Sequence, residues 1–229
     1  MSTPKMDGAQ ALIKTLADLG IEYVFGYSGG AAIPIFDALQ TVKTDMKFIL
    51  VRHEQGAVHM ADGYARATGK PAVVLVTSGP GAGNTVTGIM TAQMDSVPMI
   101  ILCGQQVTWM LGKDAFQEAD IFNITSPVVK HNFLVKSSNA LPRIAREAYH
   151  IATTGRPGPV LIDIPKDISQ GPFTGTFDEP MDLPGYNPSE NFKIDPAGIK
   201  EAARLIAGAN RPVILAGQGA MIARADKEL

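Results

Sequence analysis

The sequence predicts an α/β protein: an open parallel β-sheet with helices on both faces, followed by the start of a second α/β domain. Short apolar runs of strand length alternate along the chain with amphipathic segments of helix length. The runs at 72–77 and 97–103 are apolar almost throughout, which is typical of strands buried on both faces of a parallel sheet. The alternating order of strands and helices favours the same architecture.

Capping and terminating residues mark the ends of several predicted elements. Asp7 is suited to cap the first helix, and Gly20 to end it. Pro34 falls in the first turn of the second helix, where its missing N–H costs little, and Gly69 ends the third. The predicted strands are 23–25, 48–51, 72–77, 97–103, 128–135 and 160–164. The predicted helices are the segment between Asp7 and Gly20, then 31–39, 53–68, 84–94 and 140–153, with glycine turns at 26–30 and 78–82.

The strand–helix pattern stops at residue 171. Residues 171–191 contain four prolines, three glycines and four acidic residues but no basic residue, a composition typical of a linker. A helix that starts near Asp195 and ends at Ala207 is predicted beyond it, followed by a strand and glycine turn at 211–217, but so few residues cannot bury a core of their own. The predicted organisation is therefore a first domain at 1–170, a linker at 171–192 and a truncated second domain at 193–229.

Composition excludes several classes of protein. Twenty basic and 22 acidic residues give a net charge of −2, whereas a nucleic-acid partner would favour a basic excess. No apolar run approaches the roughly 18 residues of a membrane span, and the N-terminus does not resemble an export signal. The single cysteine, Cys103, excludes an internal disulfide. We therefore expect a cytoplasmic protein with neither a nucleic-acid nor a membrane partner.

Two familiar site motifs are incomplete in this chain. His53 and Glu54 open like a zinc-protease helix, but Ala57 stands where the second histidine would be needed. The glycines at 79–83 resemble a dinucleotide-binding loop, but Asn84 occupies the last glycine position. No metal site is predicted within the chain.

A third motif, G-x-S-x-G at 26–30, is complete and predicts an alternative function. It places Ser28 on a turn between a strand and a helix, as in the nucleophile elbow of a serine hydrolase. A triad would also need a later acid and either His131 or His150. No strand precedes this one to supply the second N–H of an oxyanion hole, which argues against the hydrolase.

The carboxyl ends of the predicted parallel strands lie at one edge of the sheet, where open α/β sheets bind ligands. Glu54 lies where the second strand meets its helix, so its carboxylate is expected in that cleft. Position alone also fits a simpler role, because an acid in the first turn interacts favourably with the helix dipole. The loops at this edge begin at Gly26, Arg52, Thr77, Gly104 and Pro165.

Five segments, taken together in order and spacing, resemble a known family. They are 53–57 (HEQGA), 77–81 (TSGPG), 114–120 (DAFQEAD), 155–159 (GRPGP) and 163–167 (DIPKD). The set resembles the catalytic large subunit of acetohydroxyacid synthase, also called acetolactate synthase, over residues 7–229. This family uses thiamine diphosphate in branched-chain amino-acid biosynthesis. The resemblance implies decarboxylation of pyruvate and transfer of the hydroxyethyl unit to a second 2-oxo acid, either pyruvate or 2-oxobutyrate.

The resemblance also implies a domain for each part of the chain. Residues 1–170 are similar to the pyrimidine-binding domain, and 193–229 to the beginning of the central domain that usually holds FAD. The family's Mg²⁺–diphosphate site, a Gly-Asp-Gly segment followed by Asn, has no counterpart in these 229 residues. The active site forms between subunits, so the resemblance implies a homodimer or homotetramer, a possible regulatory small subunit, and a chain that is inactive alone.

Site residues are carried over from the same resemblance. Glu54 matches the glutamate at N1′ of the aminopyrimidine, where a shared proton allows the cofactor's own amino group to deprotonate its reactive carbon. Gly30 and Gln117 are implied at the reacting atoms, and Phe116 with Gln117 at the substrate entrance. The implied cofactor contacts are Gly29, Gly30, Glu54, Ser78, Gly79, Pro80, Gly81, Asn84, Gln105 and Arg156, the last with the flavin.

Three positions depart from the family pattern, although none of them affects Glu54. Trp109 and Lys113 stand where smaller or polar residues are more frequent, and Gly83 stands where threonine is common. Besides the hydrolase, two alternatives stay open. One is another thiamine-diphosphate carboligase, decarboxylase or acetyltransferase, and the other is a non-catalytic pyrimidine-domain binding module.

Overall fold

The computed structural model describes residues 6–181, 183, 185–186 and 193–229. The chain divides into two compact units, Met1–Tyr186 and Asn187–Leu229. The first unit contains a six-stranded sheet in the order β2-β1-β3-β4-β6-β5, and every neighbouring pair is parallel. The predicted parallel sheet is therefore confirmed. Its strands are β1 (Tyr23–Gly26), β2 (Lys47–Leu50), β3 (Ala72–Val76), β4 (Met99–Gln105), β5 (His131–Leu134) and β6 (Pro159–Pro165).

Helices connect the strands, and two of the predicted helix-capping residues act as expected. Asp7 accepts a hydrogen bond from the backbone N–H of Gln10, whose side chain accepts one from the N–H of Asp7. Gly69 ends the third helix with a φ of 71°. The helices of the first unit are α1 (Gly8–Asp18), α2 (Ile33–Thr41), α3 (Glu54–Thr68), α4 (Pro80–Gly83), α5 (Val86–Met94), α6 (Ile121–Thr125), α7 (Leu141–Thr153) and α8 (Lys166–Gln170).

The sheet buries both of its faces. Along β3, Val73 and Leu75 pack against α1, α2 and α7, while Val74 and Val76 pack on the opposite side with α3 and α5. Strand side chains alternate between faces, so a continuous apolar run is what two buried faces require. Cys103 on β4 belongs to the α3–α5 side and is fully buried, which raises the pKa of its thiol.

Some element boundaries differ from the prediction. Residues 80–82 of the expected glycine turn form the helical turn α4 together with Gly83, because Pro80 at its start suits a first helical position. β4 begins at Met99 rather than 97 and continues to Gln105, since its last residues pair with Ile164 and Pro165 of β6. β5 is only four residues long, where eight were expected.

Residues 171–181, 183 and 185–186 of the expected linker belong to the first unit, and several of them bond to its helices. Pro172 forms a β-bridge with Asp7, and Asn139 Oδ1 accepts a hydrogen bond of 2.8 Å from the N–H of Thr174. The Tyr186 carbonyl lies 3.0 Å from His150 Nε2. Residues 182, 184 and 187–192 lie outside the described residues. The domain limits at 170 and 193 stay predictions.

The second unit contains α9 (Pro196–Ala207), capped by Asp195, and α10 (Gln218–Ile222). The strand expected at 211–217 was wrong, because no described residue pairs with this segment and a strand needs a hydrogen-bonded neighbour. No helix in the described part of the chain has the length and apolar character needed to cross a membrane.

Candidate active site

The loops that follow the strands meet at the carboxyl edge of the sheet. Residues 27–32 follow β1, 51–53 follow β2, 77–79 follow β3 and 106–120 follow β4. Because all six strands are parallel, these loops share one edge, which is the usual ligand-binding edge of an open α/β sheet. Most of the residues implied by the resemblance lie in these loops or in the helices that begin there.

Glu54 is the first residue of α3 and is only 9% exposed. The Asn84 side chain donates a hydrogen bond of 2.9 Å from Nδ2 to Glu54 Oε2. Oε1 accepts no hydrogen bond from the described residues, and none of their ion pairs involves Glu54. The carboxylate is therefore held through one oxygen while the other stays available to a ligand.

Thr77 lies between the two glycine turns that flank this carboxylate. A Cβ at Gly81 would come within 2.8 Å of Thr77 Cγ2 and 3.2 Å of Glu54 Oε1, and one at Gly29 within 2.5 Å of Thr77 Cβ. Thr77 Oγ1 also accepts a hydrogen bond of 3.3 Å from the N–H of Ala31. Both positions must therefore be glycine for the loops to pack this closely against Thr77. The sequence alone did not reveal that Thr77 lies between the two turns.

The loops after β3 and β4 pack against each other through backbone atoms. Gly79 has a φ of 60°, and a Cβ there would lie 2.4 Å from the carbonyl oxygen of Gln117. Gln117 itself has a φ of 56°, a left-handed conformation that is unusual for a residue with a side chain. Next to Gly79, the Ser78 Oγ is buried and has no hydrogen-bond partner among the described residues.

The segment 112–120 is held by side chains at its base. The Glu118 carboxylate accepts hydrogen bonds from the N–H groups of Gly112 and Ala115, which lowers the pKa of Glu118. Gln106 donates a side-chain hydrogen bond to the carbonyl of Phe116, a residue that is 81% exposed. This exposure suits an entrance position, which stays a prediction.

Gln105 is buried at the end of β4, and its amide is engaged inside the protein. Nε2 donates to the carbonyl of Ala119 at 2.9 Å and to Asp163 Oδ2 at 3.2 Å, while Oε1 accepts from the N–H of Gln106 at 2.8 Å. Burial raises the pKa of Asp163 to about 7, although the hydrogen bond from Gln105 opposes the rise. Both amide hydrogens of Gln105 are therefore already bonded to protein oxygens.

Arg156 does not lie with the other implied residues. It precedes β6, at the opposite edge of the sheet from Glu54, and donates hydrogen bonds to Ser96 Oγ at 2.7 Å and to the carbonyl of Met94 at 3.0 Å. These contacts satisfy carbonyl groups at the C-terminal end of α5, a place where arginine is favourable.

Gly30, implied by the resemblance, and Ser28, the candidate nucleophile of the alternative hydrolase, both lie in the loop after β1. A Cβ at Gly30 would meet nothing within 4 Å, so the space beside it is open. Ser28 is exposed, and no histidine of the described chain forms a hydrogen bond with it. His131 and His150 instead contact Tyr186, so the described residues do not assemble the triad that a hydrolase would need.

The chain is similar to known proteins over nearly its whole length. The chain is 49% identical to the acetolactate synthase large subunit of Haemophilus influenzae, 50% identical to the probable acetolactate synthase large subunit of Methanocaldococcus jannaschii, and 49% identical to an acetolactate synthase of Mycobacterium bovis. Each comparison covers 98% of this chain but only 39%, 38% and 36% of the respective relative. The chain thus spans well under half the length of these relatives.

The family profile described as "Thiamine pyrophosphate enzyme, N-terminal TPP binding domain" matches residues 6–124. This match covers just over half of the chain and includes the loops after β1, β2, β3 and β4 that build the site. The resemblance inferred from the five ordered segments is confirmed. The chain belongs to the thiamine pyrophosphate enzyme family, of which it carries the N-terminal TPP binding domain.

Proposed function

We propose that the chain is the N-terminal part of an acetolactate synthase large subunit. The complete enzyme decarboxylates pyruvate and joins the hydroxyethyl unit to pyruvate or 2-oxobutyrate in branched-chain amino-acid biosynthesis. Support comes from sequence identities of 49–50% to relatives of that name over 98% of the chain. The observation that carries the proposal is the buried Glu54 carboxylate, fixed by Asn84 beside two glycine turns.

The residues around Glu54 fit an aminopyrimidine ring. Glu54 Oε1 is unengaged, so it can accept a hydrogen bond as the carboxylate or donate one as the acid, and the buried Ser78 Oγ offers a hydroxyl that has no protein partner among the described residues. Gly81 keeps side-chain atoms away from Oε1, since even a Cβ there would approach it to 3.2 Å. A flat heterocycle that carries both a proton acceptor and an amino group matches this set of polar atoms.

Glu54 would hold a proton on Oε1 and exchange it with a ring nitrogen of the bound pyrimidine. Thiamine diphosphate, when bound, supplies the acidic carbon and the electron sink for decarboxylation. Asn84 fixes Oε2 and thereby orients Oε1, because a carboxylate held through one oxygen loses its freedom to rotate. Glutamine at position 54 would keep the shape but not the exchangeable proton. A Cβ at Gly30 would meet open space, and the backbone N–H of this residue is proposed to stabilise developing negative charge there.

The remaining implied residues divide by location. Gly29, Ser78, Gly79, Pro80 and Gly81 form the turns around the ring. Phe116 and Gln117 stand at the substrate entrance, where the exposed Phe116 ring meets the incoming 2-oxo acid. Gln117 is proposed as a contact for the reacting groups, whereas Gln105 is proposed to act at the edge of the site.

The proposal includes further partners of the complete enzyme. We infer a homodimer or homotetramer in the cytoplasm, a possible regulatory small subunit, and FAD bound with help from Arg156. Mg²⁺ and the diphosphate are held outside these 229 residues. The described residues contain no group of three His, Cys, Asp or Glu side chains placed to bind a metal.

The test is Glu54→Gln in the complete synthase that carries this chain, assayed for acetolactate formation from pyruvate. Loss of a positioned proton-transfer group lowers turnover by about 10²- to 10⁴-fold. Glu22→Gln is the matched control, because Glu22 is exposed and pairs with Lys70 away from the loops of the site. Turnover of the Glu54 variant near that of the parent overturns the role of Glu54. A parent enzyme that forms no acetolactate from pyruvate overturns the assignment itself.

A further inference from the structure

Asp163 is a buried acid that the proposed chemistry does not use. It lies on β6 opposite Cys103 of β4 and Leu134 of β5, and is 3% exposed. Its Oδ2 accepts a hydrogen bond from Gln105, whereas Oδ1 has no partner among the described residues. An acid in such surroundings costs free energy that an apolar residue would not, so its presence calls for a specific contact.

That contact fixes the orientation of the Gln105 amide. Its NH2 group faces two acceptors, Asp163 Oδ2 and the carbonyl of Ala119, and its oxygen faces the N–H of Gln106. Turning the amide over would set oxygen against two acceptors and NH2 against a donor. Asp163 therefore favours the orientation in which Gln105 binds Ala119.

Ala119 belongs to the loop that carries Phe116 and Gln117. This loop contains Asp114 and Gln117 with φ values of 52° and 56°, conformations that persist only when surrounding contacts hold them. The Gln117 carbonyl in turn lies against Gly79, where a Cβ would approach it to 2.4 Å. Contacts thus run from the buried Asp163 through Gln105 and the loop to the turn after β3.

We propose that Asp163 is a positioning residue, which acts through Gln105 to hold the 114–120 loop and so to place Phe116 and Gln117. It touches neither substrate nor cofactor in this role. The link to catalysis rests on the function proposed above, whereas the link to the loop is a property of this chain alone.

Two substitutions separate the hydrogen bond from the packing. Asp163→Asn keeps an oxygen acceptor, while Asp163→Leu keeps similar volume but removes the acceptor. Amide hydrogen exchange is measured for segments 112–121 of this chain, with fluorescence of the single tryptophan, Trp109, as a second probe. We expect Asp163→Leu to speed exchange in this segment by about tenfold, as for the loss of one buried hydrogen bond, and Asp163→Asn to stay within about threefold.

Glu147→Gln is the matched control. Glu147 is also a buried acid, but it lies on α7 and pairs with Arg143 at 2.7 Å. Its substitution is expected to lower the free energy of unfolding without selectively speeding amide hydrogen exchange in segment 112–121. If Asp163→Leu does not fold, Gln105→Met removes the donor instead and is expected to loosen the same segment.

The complete synthase supplies the functional readout. We expect Asp163→Leu to raise KM for the 2-oxo acid about tenfold with a smaller change in kcat, and Asp163→Asn to restore KM. Unchanged exchange at 112–121 in both Asp163→Leu and Gln105→Met overturns the positioning role, whatever the activity of the enzyme. A loosened loop with unchanged KM also overturns the role in catalysis. An inactive parent synthase overturns the proposed function and leaves the exchange result to decide the contact with the loop.

Discussion

Asn84 donates a hydrogen bond of 2.9 Å from Nδ2 to Oε2 of Glu54, which lies 30 residues earlier in the chain. The bond joins the end of the short helix α4 to the start of α3. Glu54 begins α3, and Asn84 follows α4. The contact takes one oxygen of the carboxylate and leaves the other unengaged. It accounts for the burial of an acid in the first turn of a helix.

Asn84→Ala should therefore lower turnover of the complete synthase while leaving Glu54 in place. A hydrogen bond to a charged group contributes about 1.5–3 kcal/mol, so the expected loss in kcat is roughly 10- to 100-fold. Steady-state kinetics with pyruvate measure it. Asn123→Ala is a suitable control, because Asn123 bonds Asp120 and not Glu54. A change below twofold would show that Asn84 does not orient the carboxylate.

Gly81→Ala should distort the site through Thr77. The new Cβ would lie 2.8 Å from Thr77 Cγ2 and 3.2 Å from Glu54 Oε1. Overpacking of this kind costs about 1–3 kcal/mol, measured as the free energy of unfolding in urea. Displacement of Glu54 should lower turnover as well.

Thr77→Ser provides a sharp check on that explanation. It removes Cγ2 but keeps the hydroxyl that accepts from Ala31, so it should relieve much of the cost of Gly81→Ala. It should not relieve Gly29→Ala, whose Cβ would still lie 2.5 Å from Thr77 Cβ. Equal rescue of both glycine variants, or of neither, would refute the proposed packing.

Arg156→Ala should lower the free energy of unfolding by about 1 kcal/mol, since the variant loses hydrogen bonds to carbonyls at the end of α5. The donors reach the Met94 carbonyl and Ser96 Oγ, at the edge of the sheet opposite Glu54. Chemical denaturation of this chain measures the loss. Flavin content of the complete synthase measures the second role separately, and an unchanged free energy of unfolding would remove the structural one.

Asp163 should make the free energy of unfolding fall as pH rises. Its pKa is raised from 3.8 to about 7, so the folded protein keeps a proton that the unfolded chain releases between these values. The contribution of this group to stability is full below pH 3.8, falls as pH rises through the window and is constant above about 7. The nearby Asp120 adds to the rise in pKa.

Asp163→Asn should abolish this dependence. The free energy of unfolding of the variant, relative to the parent, should increase with pH by up to about 4 kcal/mol across the window. Denaturation curves at several pH values measure the difference. A difference that is independent of pH would show that Asp163 is ionised in the folded protein at acidic pH.

The fold was largely predictable, because its evidence is local in the sequence. Apolar runs such as 72–76 identify strands buried on both faces, and Asp7 and Gly69 mark helix ends through their own chemistry. The strand expected at 211–217 failed, since an apolar run forms a strand only when a neighbour pairs with it. The location of Glu54 at the carboxyl edge followed from chain order alone.

The contacts that organise the site were not predictable from one sequence. In the sequence, Asn84 only interrupts a glycine motif, and its hydrogen bond to Glu54 is visible only in the folded protein. Thr77 likewise appears in the sequence only as the end of a predicted strand, although it packs against both glycine turns in the structure. Asp163 and Gln105 are separated by 58 residues, and nothing in either local segment indicates the other. Arg156 illustrates the reverse case, since the match of its motif gave no information on which edge of the sheet it occupies.

Cys103, the single cysteine of the chain, is fully buried within β4, so the reactivity of its thiol can be used to follow opening of the central sheet. Because the native state shields the sulfur and holds it protonated, alkylating reagents can modify it only in molecules whose sheet has transiently separated. The rate of modification would therefore report the opening rate when alkylation is faster than reclosing, and the open-state population when it is slower, without any engineered label.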